Sequence, residues 1–360
     1  MTLLYLLIII GIGAIIRNKK VSTVILVTYL WVLFAFCTDN SDYASYVNQF
    51  YVYGRSIPHS IANIAYRLMC MLYYYWGLEY ENVLMTEATV GLFILLFVSL
   101  KYSKNPFWSI VLYTIYPFII DTTQVRTFFA SSFIILGLAV YSANKRKRDY
   151  VFLAVCIMIA ALVHVMCFAF LALLLIPLFE KMKWYQWLIL IFVIEGLIAI
   201  NFSRLALLVT SESHVNSFMS KSTSIYSKIF MLAYFALMIT GVIWSSHRVY
   251  YESDKDTCFA DGIYKANMIM LIFVPLTLVT NDFLRLYRCI TILDYILIIN
   301  GTVATRKRGI HDIIHHFPIQ YVIQLGAVCF AVLSNFAFIS SLYWETVVQP
   351  LFTSNSLIKW

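Results

Sequence analysis

Charged residues are scarce in this sequence, because Asp, Glu, Lys and Arg together make up only 12% of its 360 residues. A soluble domain uses roughly 25% charged residues to cover its surface. Hydrophobic residues, by contrast, reach 62%, and the mean hydropathy is +0.81. The composition therefore excludes an ordinary soluble domain. It predicts an all-α polytopic membrane protein.

Motifs for metals, nucleotides and redox chemistry are also lacking. The chain has no Walker A, GxGxxG or HExxH motif, and its seven cysteines have no CxxC spacing. A bridge between Cys37 and Cys70 is left open. The histidines of 311–316 follow a basic stop signal, which favours an interfacial turn, and the DxD pattern at 254–256 has no soluble domain around it. We therefore expect no cofactor and no metal site.

Apolar runs bounded by charges or turn residues predict one membrane-embedded domain over residues 1–360, with about 12 spans. A long outer segment, about 38–80, follows the second span; it begins as a polar loop and continues as an aromatic, interfacial or re-entrant helix over 61–78. The predicted spans are 2–16, 21–37, 83–100, 106–120, 127–143, two within 150–180 that meet near His164, 184–200, 228–246, 264–280, 289–304 and 318–342.

The basic residues are unevenly distributed over the connections between these spans. Of the 26 Lys and Arg residues, 17 fall in alternate connections, including the run 145–148 and the run 306–308. Short loops rich in Lys and Arg face the cytoplasm. This layout puts both termini on the non-cytoplasmic side of the membrane. The net charge of +8 is then explained by the orientation of the loops and their contact with anionic lipid, and not by binding of nucleic acid.

Polar residues on the predicted outer side form three groups. Asp121-Thr122-Thr123-Gln124-Val125-Arg126 enters a span, where backbone N–H groups and a guanidinium can bind an anion. Asp282, Arg285 and Arg288 are three residues apart and would share a helix face. Asp39 and Asp42 precede a tyrosine-rich run that begins at Tyr43, a combination suited to sugars. His164 lies on the same side.

Each of these residues also has an ordinary structural explanation. Outer arginines contact lipid headgroups, and tyrosines form an interfacial belt in many membrane proteins. Asp282 and Arg285 would then be a local ion pair, and His164 a packing residue. Ionisable residues within spans, here Glu87, Glu195 and Asp294, are costly and usually functional.

Several features follow one another over about residues 1–180: Asp39, Asp42-Tyr43 and Tyr46, Gln124-Val125-Arg126 leading to Ala130 and a long apolar helix, the basic turn at 145–148, and His164 in an apolar run. This pattern resembles the EpsG-like Wzy polymerases of bacterial capsule and exopolysaccharide synthesis. The resemblance implies a GT-C-like glycosyltransferase that acts outside the cytoplasmic membrane. Its substrates would be undecaprenyl-pyrophosphate-linked glycans, and its possible partners a flippase and a chain-length regulator.

The resemblance also suggests roles for the outer residues. Arg126, Arg285 and Arg288 would bind the pyrophosphate leaving group, so that no metal is needed. His164 is the first candidate for the base that deprotonates the acceptor hydroxyl, followed by Asp121 and Asp39. Sugar or acceptor contacts are expected from the remaining polar residues of the three groups: Asp42, Tyr43, Gln124 and Asp282.

Other classes of membrane protein stay open at this point. Twelve spans are compatible with a flippase or another transporter, although the sequence shows no convincing internal repeat. A ligase would use the same lipid-linked donor with a different acceptor. A membrane acyltransferase would fit the arginine-rich span ends, but no histidine stands in the first two spans.

The predicted topology can be tested by labelling single cysteines introduced at Arg146 and Lys221 in a background without the seven native cysteines. A membrane-impermeant maleimide added to intact cells should label position 221 and should reach position 146 only after permeabilisation. Labelling of both positions in intact cells would overturn the topology.

Overall fold

The computed structural model describes residues 2–56, 62–179, 181–207, 225–249, 254–279, 283–304 and 344–358, with single positions at 326 and 329. Within these ranges every regular element is helical, apart from one isolated bridge between Cys37 and Asn355. The predicted all-α class is therefore confirmed. The predicted span 318–342 and the run 306–308 lie outside the described residues, except for positions 326 and 329.

The described helices are numbered here in chain order. Their bounds are α1 Thr2–Ile15, α2 Lys19–Ala35, α3 Tyr43–Gly54, α4 Ile64–Tyr75, α5 Tyr80–Tyr102, α6 Pro106–Ile115, α7 Phe118–Asp121, α8 Val125–Asn144, α9 Lys147–Val163, a 3₁₀ helix Val165–Leu175 that continues into α10 Ile176–Phe179, α11 Trp184–Leu207, α12 Ile225–Val249, α13 Asp254–Met270, a 3₁₀ turn Leu271–Phe273, α14 Val274–Val279, α15 Leu284–Arg288, α16 Thr291–Ala304, a π-helical turn Trp344–Val348 and α17 Gln349–Thr353.

Three stretches of helix in the described part of the chain are long and apolar enough to cross a membrane. They are Tyr80–Tyr102, Val125–Asn144 and Asp256–Thr277. Shorter apolar helices accompany them at Thr2–Ile15, Pro106–Ile115, Val165–Phe179, Tyr185–Leu197 and Thr291–Val303. The protein is thus a helical membrane protein, and the count of about 12 spans stays a prediction.

The segment after α2, which the sequence predicts on the outer side, contains more helix than expected in its described residues. The expected polar loop contains the helix α3, which packs against α4 as a helical hairpin. Each helix has 12 residues and is about 18 Å long, which is short of the roughly 30 Å of a hydrocarbon core. The interfacial helix expected over 61–78 therefore matches α4, whereas the description of residues 43–54 as a loop was wrong.

Two long apolar runs of the sequence are each divided into separate helices. The run 150–180 divides at His164, where α9 ends and the 3₁₀ helix begins, as the sequence predicted. The run 106–120 was predicted as one span, but α6 ends at Ile115 and α7 starts after Pro117. Proline has no amide hydrogen and restricts the residue before it, so that Pro117 explains this break.

Lysines of the predicted cytoplasmic connections meet at one end of the bundle. Lys104 pairs with Asp256 at 3.4 Å, and Lys265 pairs with Asp261 at 2.6 Å. Lys145, just after α8, also contacts Asp261. Arg126 stands at the other end of the same helix, about 30 Å away along a helix of 20 residues. The lysine-rich end and the Arg126 end are therefore opposite ends of the bundle.

Close crossings between helices depend on glycine. A Cβ atom on Gly262 of α13 would lie 2.7 Å from the backbone Cα of Ser142 on α8, and one on Gly137 would lie 3.2 Å from the Cα of Leu153 on α9. In lipid, the hydrophobic effect does not drive helices together, and helices associate through close van der Waals packing. Small residues allow the backbones to approach this closely. The central helix α8 thus contacts both α9 and α13 through positions that admit no side chain.

Replacing Gly262 by Ala should destabilise the protein by about 1–3 kcal/mol, because the added methyl group overpacks a backbone contact. Gly11→Ala is the matched control, since a Cβ there would meet nothing within 4 Å and alanine favours helix. Thermal unfolding in detergent should show a lower midpoint for Gly262→Ala alone. Equal midpoints for the two variants would contradict this packing.

Candidate functional site

The Arg126 end of the bundle gathers polar residues from distant parts of the chain. Asp42 precedes α3, Arg126 is the second residue of α8, His164 ends α9, and Arg285 lies in α15. The positive charges of Arg126 and Arg285 both act on the imidazole of His164. Arg285 also acts on the carboxyl group of Asp42. Residues from all three groups that the sequence predicted on the outer side therefore meet in one place.

Arg126 is held between aromatic rings. Its guanidinium lies 5.2 Å from the ring centre of Tyr66 and 6.0 Å from that of Tyr46. The Nη1 atom donates to the side-chain oxygen of Gln49 at 3.4 Å. Cation–π contacts and one amide fix the position of the guanidinium without neutralising its charge, and the side chain is half-buried.

His164 lies between two helices and is almost fully buried. Burial, together with the charges of Arg126 and Arg285, lowers the pKa of His164 to about 3. The imidazole is therefore neutral at physiological pH. Its Nδ1 atom accepts a hydrogen bond from the backbone N–H of Met166 at 3.4 Å. The single proton of a neutral ring whose Nδ1 accepts must be on Nε2. The free edge of His164 is thus a hydrogen-bond donor.

Asp42 is the half-buried carboxylate of this end. Burial raises its pKa, and the charge of Arg285 opposes that rise. Its backbone N–H donates to the side-chain oxygen of Asn40 at 3.1 Å. The Nδ2 atom of Asn40 in turn donates to the carbonyl oxygen of Thr122 at 3.0 Å. Asn40 therefore ties the Asp42 turn to the segment that leads into α8.

Asp121 and Arg288 form a buried ion pair, with 3.0 Å between Oδ1 and Nε and side-chain exposures of 9% and 5%. The Tyr113 hydroxyl donates to the other carboxylate oxygen at 2.8 Å. Arg288 Nη2 donates to the side-chain oxygen of Gln124 at 2.5 Å. The sequence predicted Asp121 as a base, Arg288 as a pyrophosphate ligand and Gln124 as an acceptor contact. Together they make a closed network that joins α7, α8 and α15.

The remaining predicted residues lie at the edge of the site or beyond it. Asp39 accepts a hydrogen bond from the Ser354 hydroxyl at 3.3 Å, next to the bridge between Cys37 and Asn355. Tyr43 donates to Glu81, and its ring lies 5.5 Å from that of Tyr80. Asp282 lies outside the described residues.

The other patterns noted in the sequence have no part in this site. Cys37 and Cys70 are both free thiols, so the bridge left open between them does not form. Asp256 of the DxD pattern pairs with Lys104 at the opposite end of the bundle, and the histidines of 311–316 lie outside the described residues. Among the residues that the structure describes, no group of three His, Cys, Asp or Glu side chains could hold a metal.

Sequence reasoning missed the amides and one aromatic ring that shape the site. Asn63 has a left-handed backbone, with φ of 56°, and its Oδ1 accepts from the backbone N–H of Val165 at 2.8 Å. It thus joins the outer hairpin to the residue after His164. Asn tolerates the left-handed conformation better than most residues, and this preference was the one feature of the sequence that could have pointed to Asn63. Asn40, Gln49 and Tyr66 gave no such signal.

The Asp121–Arg288 pair should contribute to stability, because removing one partner leaves a buried charge without compensation. Asp121→Asn should therefore lower the free energy of unfolding by about 3 kcal/mol. Arg148→Gln, at an exposed side chain that pairs with Asp149 over 3.8 Å, is the control and should have little effect. The unfolding midpoints of both variants in detergent check this expectation, and an unchanged midpoint for Asp121→Asn would contradict it.

Comparison with known proteins gives one finding that bears on identity. No curated protein and no solved structure matches the chain. A family model, described as the EpsG family, matches residues 20–345, which include all but the first residue of α2, the helices from α3 to α16 and all four residues that meet at the Arg126 end. The resemblance found in the sequence is thereby confirmed, and the chain belongs to the EpsG family.

Proposed function

We propose that this protein is a membrane glycosyltransferase that polymerises lipid-diphosphate-linked oligosaccharide repeat units into an extracellular polysaccharide. The EpsG family suggests a polysaccharide polymerase role. The observation that carries the proposal is the convergence of Arg126, Arg285, His164 and Asp42 at the end of the bundle opposite the lysines. With those lysines in the cytoplasm, the site faces the outer leaflet, where undecaprenyl-pyrophosphate substrates would be presented.

The reaction transfers a glycan from one lipid diphosphate to the sugar of another. A hydroxyl oxygen of the acceptor sugar attacks the anomeric carbon of the donor, and the bond from that carbon to the diphosphate oxygen breaks. The electron pair of this bond leaves with the lipid diphosphate. The proton of the acceptor hydroxyl goes to a base. A site for this reaction therefore needs cations near the leaving group and a carboxylate or imidazole near the acceptor.

Arg126 and Arg285 are the cations in this proposal. A planar guanidinium stays charged and offers two parallel N–H donors to a phosphate. Tyr46, Tyr66 and Gln49 already hold Arg126 in one orientation. Its side chain therefore loses little conformational entropy when the substrate binds. Arg288 supports the site differently, since its pairing with Asp121 holds α15, which also carries Arg285.

The role of base, first expected of His164, goes to Asp42 in this proposal, and His164 takes a different role. The Nε2–H edge of His164 would donate to a diphosphate oxygen, beside the two guanidinium groups. Asp42 would accept the proton of the acceptor hydroxyl. Burial raises the pKa of Asp42, which makes its carboxylate a stronger base than an exposed one. Asp121 and Asp39, the other candidates, are engaged by Arg288 and Ser354.

Arg126→Lys and Arg285→Lys should each slow polymerisation by about 10-fold to 100-fold, because lysine keeps the charge but loses the paired donors. The test is complementation of a deletion strain, followed by electrophoresis of its lipid-linked glycans. The wild-type gene should restore long polymer, whereas each variant should leave single repeat units. Lys228→Arg is the control and should restore long polymer.

The same experiment separates the alternatives. Accumulation of single repeat units outside the cell in the deletion strain supports a polymerase. A pool of repeat units confined to the inner leaflet would instead indicate a flippase, and long polymer that stays on its lipid would indicate a ligase. Normal polymer length in both arginine variants would contradict the role of the two guanidinium groups.

A further inference from the structure

An apolar groove lies where α5, α8 and α9 meet, on the half of the bundle next to the lysine-rich end. Its volume is about 590 Å³, within the range of about 300–1,000 Å³ that is usual for ligand sites. Its walls include Phe93 and Phe97 of α5, Leu136 of α8 and Phe152 of α9. Phe93 is 67% exposed and Phe97 is 41% exposed. The described residues therefore leave large aromatic side chains of the groove open to the surroundings of the bundle.

The groove is about as deep as one leaflet of a bilayer. Lys101 stands one residue before the end of α5, and its ammonium lies 5.1 Å from the ring centre of Phe97. The rise along the helix from Phe93 to Lys101 is about 12 Å. Half of a hydrocarbon core of about 30 Å is about 15 Å. An acyl chain of the leaflet at the lysine-rich end therefore matches the groove in polarity and in depth.

The polar end of the groove carries one side chain of each charge. Arg148 and Asp149, the second and third residues of α9, both line it. They make only a long contact, with 3.8 Å between Arg148 Nε and Asp149 Oδ1, and the Arg148 side chain is 75% exposed. An exposed pair of this kind contributes little to stability. The guanidinium is therefore accessible to an anion at the mouth of the groove.

Asp149 is the buried member of this pair. Its side chain is 11% exposed, and its Oδ2 atom accepts no hydrogen bond from a residue that the structure describes. A buried carboxylate oxygen without a donor is costly. Rotation about χ2 can turn either oxygen of an aspartate toward the groove. The groove thus offers a cation to an anionic group and, beside it, a carboxylate to a hydrogen-bond donor.

We infer that the groove binds a phospholipid whose headgroup carries both a phosphate and a primary ammonium, as phosphatidylethanolamine does. One acyl chain lies against the phenylalanine rings of the groove. The phosphate contacts Arg148, and the ammonium, which a short ethylene bridge joins to the phosphate, donates to Asp149. The lipid fills the gap between α5 and α9, which both pack against α8.

Charge complementarity selects this occupant among phospholipids. A purely anionic headgroup would place a second negative charge beside Asp149 and would leave its carboxylate without a donor. A quaternary ammonium, as in phosphatidylcholine, has no N–H group to donate. Only a headgroup with a primary ammonium satisfies Arg148 and Asp149 together.

Native mass spectrometry of the full-length protein in detergent tests the inference. Protein stripped of lipid is titrated with phosphatidylethanolamine, phosphatidylcholine or phosphatidylglycerol of the same acyl chains, and the Kd of the first bound lipid is measured. Phosphatidylethanolamine should bind about tenfold more tightly than the other two, which is the effect of one charge-assisted hydrogen bond. Equal Kd values would show that lipid surrounds the protein without a specific site, and tighter binding of phosphatidylglycerol would show simple attraction of charge. Either result would overturn the inference.

Three variants separate the headgroup contacts from the contacts of the acyl chain. Asp149→Asn should abolish the preference for phosphatidylethanolamine over phosphatidylcholine. Arg148→Gln should weaken the binding of all three lipids about tenfold, because each of them carries a phosphate. Phe152→Ala should weaken all three by about threefold to tenfold, because the acyl chain loses apolar contact.

Matched controls lie outside the groove. Arg146→Gln removes the same charge from the same basic run, and Phe192→Ala truncates an exposed ring of α11, so neither should change a Kd. The unfolding midpoints of Arg148→Gln and Phe152→Ala in lipid-free detergent should stay close to that of the wild type, since both side chains are exposed. A preference that persists in Asp149→Asn, or controls that lose as much affinity as the variants, would overturn the inference. The headgroup comparison with wild-type protein decides it if Asp149→Asn does not fold.

Discussion

The high cost of an uncompensated charge in hydrocarbon governs this structure. A membrane offers no water to a carboxylate or a guanidinium, so such groups stand at the ends of the bundle or are paired inside it. Lys104, Lys145 and Lys265 pair with aspartates at one end. Arg288 pairs with Asp121 at the other, with both side chains at least nine-tenths buried. The same requirement makes every regular element of the described chain a helix or a helical turn, since helices satisfy their own backbone groups.

The arrangement of the charged groups at that end depends on the Asp121–Arg288 ion pair. The Asp121–Arg288 pair and its contacts with Tyr113 and Gln124 hold α15 against α8. This brings Arg285 near His164 and Asp42, next to Arg126. In many charged sites, residues that pair with one another hold in place the residues that contact a ligand.

Hydropathy and charge predicted the general organisation of the helices from the sequence. Three physical effects limited the prediction of helix α3 and of the site. The break at His164 was visible because 150–180 is too long for one span, and the lysine-rich end followed from loop charge. Helix α3 was missed because its tyrosines and amides mask the apolar periodicity. The Asp121–Arg288 pair joins residues far apart in the chain, which one sequence cannot reveal. The tautomer of His164 depends on a hydrogen bond from a backbone amide, which the sequence alone does not reveal.

Reconstitution tests the central claim most directly. Purified wild-type protein is placed in vesicles with a polyprenyl-diphosphate-linked repeat unit as the sole glycan, and the products are resolved by length. The account predicts glycans of several repeat units on a lipid diphosphate, together with one free lipid diphosphate for each linkage formed. Repeat units that cross the bilayer with their length unchanged would contradict it, because they would make the protein a transporter.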